Sequence, residues 1–213
     1  MALLLVLSLT TALLLTILAP FFSTGSDPET ASGMVLILSV TGSLVISYTL
    51  LALLTQEYLV TQFLPRLSLK PHRILIALAS GAAIAYVVSF VSSQYPPQAG
   101  ESNTFRIIQS SGLSAQSLLI FVTVLLAPLC EEYLFRGIIF DALKTRFTTF
   151  FAICASAVVF MGFHLIEYSD YWVGMSAIFL LGIALAFLRE SSNSMLSPIL
   201  CHASYNAGIL WLA

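Results

Sequence analysis

Apolar runs of about 20 residues, long enough to cross a bilayer as helices, recur along the whole chain and constrain its fold. Hydrophobic residues make up 59% of the 213 positions and charged residues only 8%, whereas a soluble domain carries about 25% charged residues. So few polar groups could not cover a surface in contact with water. The sequence therefore predicts an all-α, polytopic transmembrane helix bundle, in which each span satisfies its own backbone hydrogen bonds.

Polar, turn-rich segments divide the chain into about seven predicted helices within a single transmembrane domain, residues 1–213. Residues 1–113 would carry the amino-terminal helices, and residues 114–213 would form a helical core. The predicted spans are 2–22, 34–54, 74–91, 114–143, 148–164, 173–188 and 196–213, and polar connections include 23–30, 92–112, 167–172 and 189–193. The first run exceeds a signal-peptide core of about 7–15 residues, so we predict a span there, with a cleaved signal as the alternative.

Basic residues collect in alternate connections of this predicted bundle. One side of the membrane would carry Arg66, Lys70, Arg73, Lys144, Arg146 and Arg189, together with His72, a solvated interfacial residue. The other side would carry Arg106 with Asp27, Glu29, Glu101, Glu167 and Asp170. By the positive-inside rule, this asymmetry predicts a cytoplasmic amino terminus. A net charge of −2 without a lysine/arginine cluster excludes a nucleic-acid partner.

The three cysteines, Cys130, Cys154 and Cys201, all lie inside apolar runs, and no CxxC spacing occurs. Such a pattern predicts neither a disulfide framework nor a cysteine zinc site. We interpret these cysteines as small apolar packing residues.

The fourth predicted helix carries Glu131, Glu132 and Arg136 inside one of the most apolar segments of the chain. An ionised group at bilayer depth costs at least a few kcal/mol, so charges there indicate a functional site. Glu132 and Arg136 are four residues apart and can form an ion pair on one helix face. That pair could be structural, could orient Glu131, or could leave Arg136 to hold a substrate carbonyl or carboxylate.

Two other predicted helices carry histidine in apolar surroundings, with Phe160 four residues before His164 and Asn206 four residues after His202. Four-residue spacing places both members of each pair on one helix face. Helices four and five should form a hairpin, and at about 1.5 Å rise per residue Glu131 and His164 then reach similar depths. We expect His202 and Asn206 at a comparable level, so that the polar groups share one cavity.

These residue types together suit the activation of a water molecule. A carboxylate held away from bulk water becomes a stronger base, and Glu131 beside a neutral His164 could deprotonate a water. His202 and the Asn206 amide are donors that suit a developing oxyanion.

Three alternatives stay open from these residues. Glu131, His164 and His202 could bind zinc in a metalloprotease, although no HExxH sequence is present. The cavity could serve a non-enzymatic scaffold or regulator of another membrane protein. Buried Glu, His and Arg side chains also form ion or proton relays, although the sequence shows no inverted repeat.

The motifs in residues 126–213, in this order on successive apolar helices, resemble those of the type II CAAX prenyl endopeptidases. These intramembrane glutamic proteases belong to the CAAX protease and bacteriocin-processing family. The motif residues are Glu131, Glu132, Arg136, Phe160, His164, His202 and Asn206.

The resemblance implies a membrane endopeptidase that uses no cofactor and forms no covalent intermediate. It assigns Glu131 and His164 to water activation, His202 and Asn206 to the oxyanion site, and Glu132 and Arg136 to support. The helical core, residues 114–213, would then be catalytic. The implied partners are the lipid bilayer and a peptide or membrane-protein substrate, with or without a prenyl group. Members of this size are often proteins of bacterial or archaeal cell membranes, and this chain has one predicted helix fewer than eukaryotic-type enzymes.

Overall fold

The computed structural model describes residues 10–18, 20, 28–68, 70–97 and 113–212. Helices contain most of these residues, and none of the described residues belongs to a β-strand. The predicted all-α helix bundle is therefore confirmed. Within the first predicted span, residues 10–18 and 20 are helical. The rest of that span and residues 98–112 of the predicted 92–112 connection lie outside the described residues.

Six long helices follow in the described part of the chain. They are α1 (Pro28–Leu54), α2 (Pro71–Gln94), α3 (Leu113–Lys144), α4 (Thr149–Phe163), α5 (Trp172–Ser192) and α6 (Leu196–Leu212). Four of them, namely α1 through its Gly33–Leu54 part, α2, α3 and α5, are long and apolar enough to cross a membrane. The predicted number of seven spans is thus not confirmed.

Several helices extend further than predicted. Helix α1 begins at Pro28 instead of residue 34, and α2 begins at Pro71 instead of residue 74. Proline suits a first helical position, because the amide hydrogen that it lacks would have no partner there. Helix α5 continues to Ser192, and the chain turns at Asn193, which has a φ of 51°. The predicted turn at 189–193 was therefore wrong for residues 189–192.

The connection after α1, which lies between the predicted spans 34–54 and 74–91, contains short helical turns over residues 56–66. These turns are Gln56–Tyr58, the π-helical Leu59–Phe63 and the 3₁₀ turn Leu64–Arg66. The Phe63 ring meets the Tyr133 ring edge to face, with centroids 4.9 Å apart. This aromatic contact packs the connection against α3.

Helix α3 is continuous but is not a uniform α-helix. Two π-helical stretches, Val122–Leu126 and Tyr133–Ile139, flank the α-helical segment Ala127–Glu132. Pro128 contributes to the first irregularity, since it has no amide hydrogen for the carbonyl four residues earlier. π-Helical turns are often found at functional sites, and here they lie on either side of the two glutamates.

Helices α3 and α4 form the predicted hairpin around residues 145–148. Thr148 caps α4 by accepting a hydrogen bond from the Phe151 amide at 3.3 Å. Helix α4 ends at Phe163, one residue before the prediction, and His164 follows with φ −96° and ψ 5°. The short helix Leu165–Tyr168 then leads toward α5.

The chain divides into two compact units, residues 1–56 with 99–122 and residues 57–98 with 123–213. In the first unit, the Thr11 hydroxyl donates to the Ser43 hydroxyl at 2.7 Å. The core of the second unit is a cluster of buried side chains: Ala77, Ala85, Phe135, Phe160, Ile178, Leu181, Leu185, Cys201 and Tyr205. No finding tests the description of residues 1–213 as a single domain, which stays a prediction.

Helices α2 and α6 cross very closely in the second unit. A Cβ atom at Gly81 would overlap the Cys201 carbonyl oxygen and the Tyr205 amide nitrogen. The Ser204 hydroxyl donates to the Leu78 carbonyl at 2.8 Å across the same crossing. Small residues at such a crossing let two membrane helices approach through their backbones.

Candidate active site

A buried ion pair on α3 forms the centre of the candidate site. Arg136 Nη1 donates to Glu132 Oε1 at 3.0 Å, and both side chains are 0% exposed. The four-residue spacing places the two groups on one face of the helix. Because each charge offsets the other, the pair removes much of the cost of placing either group in an apolar interior.

Arg136 also binds two other helices. Its Nη2 donates to the Gly182 carbonyl on α5 at 3.2 Å. Its guanidinium carbon lies 4.3 Å from the centroid of the Phe160 ring on α4, which is a cation–π contact. These contacts fix the guanidinium group, and through it the Glu132 carboxylate.

His202 of α6 lies beside both glutamates. Its Nδ1 is 2.9 Å from Glu132 Oε1, and its Nε2 is 3.8 Å from Glu131 Oε2. If Nδ1–H donates to Glu132, then Nε2 of the neutral ring is free to accept a hydrogen bond. The Glu132 carboxylate therefore orients His202 so that its second nitrogen faces Glu131.

The neighbouring glutamates have different surroundings. Glu132 is fully buried, whereas the Glu131 side chain is 16% exposed. Within the described part of the chain, Oε2 of Glu131 is buried and has no hydrogen-bond partner, and the same is true of Oε2 of Glu132, whose Oε1 is bound by Arg136 and His202. A buried carboxylate oxygen without a partner is costly, so it is a natural position for a bound water or a substrate group.

His164 lies beside Phe160, and the structure does not pair it with a glutamate among the described residues. Its Nδ1 is 3.0 Å from the Phe160 carbonyl, and its ring centroid is 4.7 Å from that of Phe160. The Phe160 ring also meets the His202 ring edge to face, at 5.7 Å. Phe160 is thus in ring contact with both histidines.

Asn206 is on the same helix as His202 but has another partner. Its Nδ2 donates to the Thr123 carbonyl at 2.8 Å, in the π-helical stretch of α3 before the glutamates. One hydrogen of the amide is therefore used on the backbone, and the other is available to a ligand.

Gly182 and Thr123 belong to this polar arrangement, although sequence reasoning did not select them. Gly182 could have been noticed in the sequence, because it lies inside an apolar helix, where glycine is unfavourable unless close packing requires it. A Cβ atom there would lie 3.1 Å from Ala157. Thr123 contributes only a backbone carbonyl, which no residue pattern identifies.

A second polar cluster surrounds Asp141, ten positions after Glu131 on α3. Its carboxylate accepts hydrogen bonds from the Tyr58 hydroxyl at 2.8 Å, from Arg66 at 2.5 Å and from Arg189 at 3.1 Å. Arg189 had been predicted in a polar turn, yet it is buried by this contact. Burial and the nearby Asp141 charge raise the pKa of Tyr58, so its hydroxyl stays a donor.

The described residues include no group of three or more His, Cys, Asp or Glu side chains arranged to hold a metal ion. The three cysteines are free thiols, with Cys201 buried and the other two partly buried.

Comparisons with known proteins support the resemblance seen in the motifs. Residues 113–208 match the family model described as type II CAAX prenyl endopeptidase Rce1-like. This match confirms the resemblance to that family over residues 113–208, which include every motif position. It supports a membrane endopeptidase, and together with the apolar helices it indicates a multi-pass membrane protein.

One curated relative is an Escherichia coli protein described as an uncharacterized 24.3 kDa protein. The two chains are 25% identical over 127 residues, which cover 59% of this chain and 58% of the relative. The chain therefore matches less than two thirds of the relative's length. No solved structure matches the chain significantly.

Proposed function

We propose that this protein is an intramembrane, metal-independent glutamic endopeptidase that hydrolyses peptide bonds in membrane-associated or lipidated peptides and proteins. One observation carries the proposal. The unpartnered Glu131 Oε2 lies 3.8 Å from His202 Nε2, while Glu132 Oε1 lies 2.9 Å from the other nitrogen of the same ring. A single polar centre thus combines a base, an oriented imidazole and a position for a water molecule.

The gap between Glu131 and His202 suits one water molecule. A water about 2.8 Å from both atoms would make two ordinary hydrogen bonds, and the 3.8 Å separation permits such a position beside the two groups. Glu131 is also the more accessible of the two glutamates. Glu132 is already engaged by Arg136 and His202, so it is suited to orientation.

In the proposed reaction, Glu131 first accepts one proton from the water and later donates it to the leaving group. The Glu131 carboxylate takes a proton from the water as the water oxygen attacks the peptide carbonyl carbon. The carbonyl oxygen becomes an oxyanion, and the Glu131 carboxylic acid then gives its proton to the departing amide nitrogen. The carbon–nitrogen bond breaks, which leaves a carboxyl group on one product and an amine on the other.

The remaining motif residues would stabilise this reaction. Glu132 and Arg136 would hold the His202 ring in place, so that its Nε2 can accept a hydrogen bond from the water. Asn206 retains one amide hydrogen that can donate to the oxyanion. His164, which the resemblance assigns to water activation with Glu131, contacts the Phe160 ring, which also contacts His202, and would contact the bound substrate and water.

We also propose that the basic connections face the cytoplasm, as the distribution of lysine and arginine predicts. We further propose a bacterial or archaeal cell membrane as the location, for which the apolar helices supply the membrane part of the argument.

A comparison of new protein termini in membranes tests the proposed activity. Cells expressing the wild-type protein should contain membrane-protein fragments, detected by terminal labelling and mass spectrometry, that are missing with Glu131→Ala. Glu190→Ala is the matched control, because Glu190 pairs with Lys144 at 2.5 Å, away from the site residues. The control should give the wild-type fragments.

Fragments that are identical in wild type and Glu131→Ala would contradict the peptidase and would favour a non-enzymatic scaffold. A second arm uses purified protein treated with a metal chelator. Retained cleavage is the expected result, and cleavage that is lost and then restored by zinc would replace the glutamic mechanism with a zinc-dependent one.

A further inference from the structure

Two adjoining cavities lie where α2 begins and α5 ends, apart from the site described above. One, of about 290 Å³, is lined by His72, Arg73, Ile76, Leu188, Ser191, Ser192 and Ser197. The other, of about 560 Å³, is lined by Ser68, Lys70, Arg73, Ser192 and Asn193. Because they share Arg73 and Ser192, we treat them as one feature and call it the basic cleft.

The polar lining of the basic cleft suits an anion. Lys70 and Arg73 carry positive charge, several serine hydroxyls can donate, and no acidic residue lines either cavity. Arg73 Nη1 donates to the Ser191 carbonyl at 2.8 Å, which holds the guanidinium in place and leaves its other donors available. In the described part of the chain, Lys70 has no side-chain hydrogen bond or ion pair, and it is exposed.

The position of the cleft favours a lipid as the source of that anion. Helices α2 and α5 are both long enough to span a membrane, and the cleft lies where Pro71 begins one and Ser192 ends the other. Side chains at such helix ends lie at the level of the lipid headgroups. Basic pockets between membrane helices at this level are suited to phosphate-bearing headgroups.

The apolar part of the lining supports the same occupant. Ile76 is one turn further into the membrane than His72, and it is 53% exposed. Leu188 lies one turn before Ser192 on α5, so the cleft continues from charged residues into apolar ones. A free phosphate would use only the charged part, whereas a lipid would place its phosphate there and its acyl chains along Ile76 and Leu188.

We propose that the basic cleft binds one anionic phospholipid, with the headgroup phosphate on Lys70 and Arg73. This proposal does not depend on the peptidase activity. It can stand if Glu131 proves not to be catalytic.

Lipid titration of the purified full-length protein in a neutral detergent tests this site. The probe is short-chain phosphatidylglycerol, compared with phosphatidylcholine of equal chain length and with glycerol phosphate. Wild type should prefer phosphatidylglycerol. Removing one cation near the membrane surface should weaken lipid binding about fivefold. The double variant K70Q/R73Q should therefore bind phosphatidylglycerol roughly 30-fold more weakly than wild type.

Arg146→Gln is the charge-matched control, because Arg146 is exposed on the α3–α4 turn and lines neither cavity. It should bind as wild type does. If K70Q/R73Q fails to fold, Lys70→Gln alone serves, since the exposed Lys70 side chain makes no hydrogen bond or ion pair in the described part of the chain. The loss should then be about fivefold.

Two results would overturn the proposal. If Arg146→Gln and Lys70→Gln weakened phosphatidylglycerol binding equally, the binding would depend on general surface charge and not on the basic cleft. Binding of glycerol phosphate as tight as that of phosphatidylglycerol would assign the cleft to a soluble anion.

Discussion

Glu131 and Glu132 are adjacent on one helix but have different surroundings. Each has a buried Oε2 atom without a hydrogen-bond partner among the described residues, but Oε1 of the fully buried Glu132 is bound by Arg136 and His202, whereas the partly exposed Glu131 lies 3.8 Å from His202. The first arrangement suits a structural role, and the second suits the base of the proposed reaction. Substitutions at the two positions should therefore have different consequences.

Glu132→Gln should mainly destabilise the protein. It removes the charge that offsets Arg136, and an uncompensated charge in a protein interior costs about 3–5 kcal/mol. The measurement is the free energy of unfolding in detergent. Glu190→Gln is the control, since its pair with Lys144 is about one-third exposed and should contribute under about 1 kcal/mol. Similar losses for both variants would contradict the structural role of Glu132.

At the residue scale, the sequence identified the polar groups but not all their partners. The spacing of Glu132 and Arg136 predicted an ion pair, because four residues make about one helical turn. The approach of His202 to Glu132 depends on how α6 packs beside α3, which sequence spacing does not encode. The carbonyls of Gly182 and Thr123 could not be found either, because every residue has one.

Among the helices, the crossing of α2 and α6 depends on Gly81. Gly81→Ala would push a methyl group into the Cys201 carbonyl, and overpacking of this kind costs about 1–3 kcal/mol. Gly162→Ala is the matched control, because a Cβ atom added at Gly162 would have nothing within 4 Å. The control should be neutral or stabilising by up to about 1 kcal/mol, as helix propensity predicts.

Thermal unfolding of both glycine variants in detergent checks this prediction. A melting temperature that falls for Gly81→Ala and not for Gly162→Ala is expected. If Gly81→Ala has the same melting temperature as the wild-type protein, the backbones of α2 and α6 do not approach as closely as described.

The connection 56–66 is held on α3 through Tyr58 and Asp141. Tyr58→Phe removes a hydrogen bond to a charged acceptor, so unfolding should become easier by about 1.5–3 kcal/mol. Tyr86→Phe, at a position that is 65% exposed, should change little. Unfolding of the two variants in detergent at neutral pH gives the comparison, and equal stability would contradict the contact.

The same contact predicts a dependence on pH. Burial and Asp141 raise the pKa of Tyr58 in the folded state, above the ordinary tyrosine value of about 10. The Tyr58 contribution is therefore complete below pH about 10 and declines as the pH rises through the folded pKa. The stability difference between wild type and Tyr58→Phe should be constant at neutral pH and shrink in strong alkali.

At the element scale, the sequence located α1 to α6 but missed the first residues of α1 and α2 and the last turn of α5. Apolar length identifies a membrane helix, but the predicted spans began at residues 34 and 74, whereas the helices begin at Pro28 and Pro71. Arg189 was placed in the polar turn 189–193, although it lies in the last turn of α5 and has a partner on α3. That partner, Asp141, is 48 residues away in the chain.

For the whole molecule, composition was sufficient to predict a helical membrane protein. A chain with 8% charged residues cannot fold as a water-soluble domain. Many large apolar side chains of the helices, such as Leu75, Phe150 and Leu180, are exposed, as contact with lipid requires. Composition could not predict the division into two compact units, because it follows from contacts between distant segments.

The central claim is that Glu131 activates a water, and the rate of peptide cleavage by purified Glu131→Gln in proteoliposomes tests it most directly. Glutamine keeps the size of the side chain and removes the base, so the rate should fall by about 10²–10⁴ while the melting temperature stays near wild type. Glu190→Gln, measured in parallel, should keep the wild-type rate. Cleavage by folded Glu131→Gln at the wild-type rate would contradict the claim.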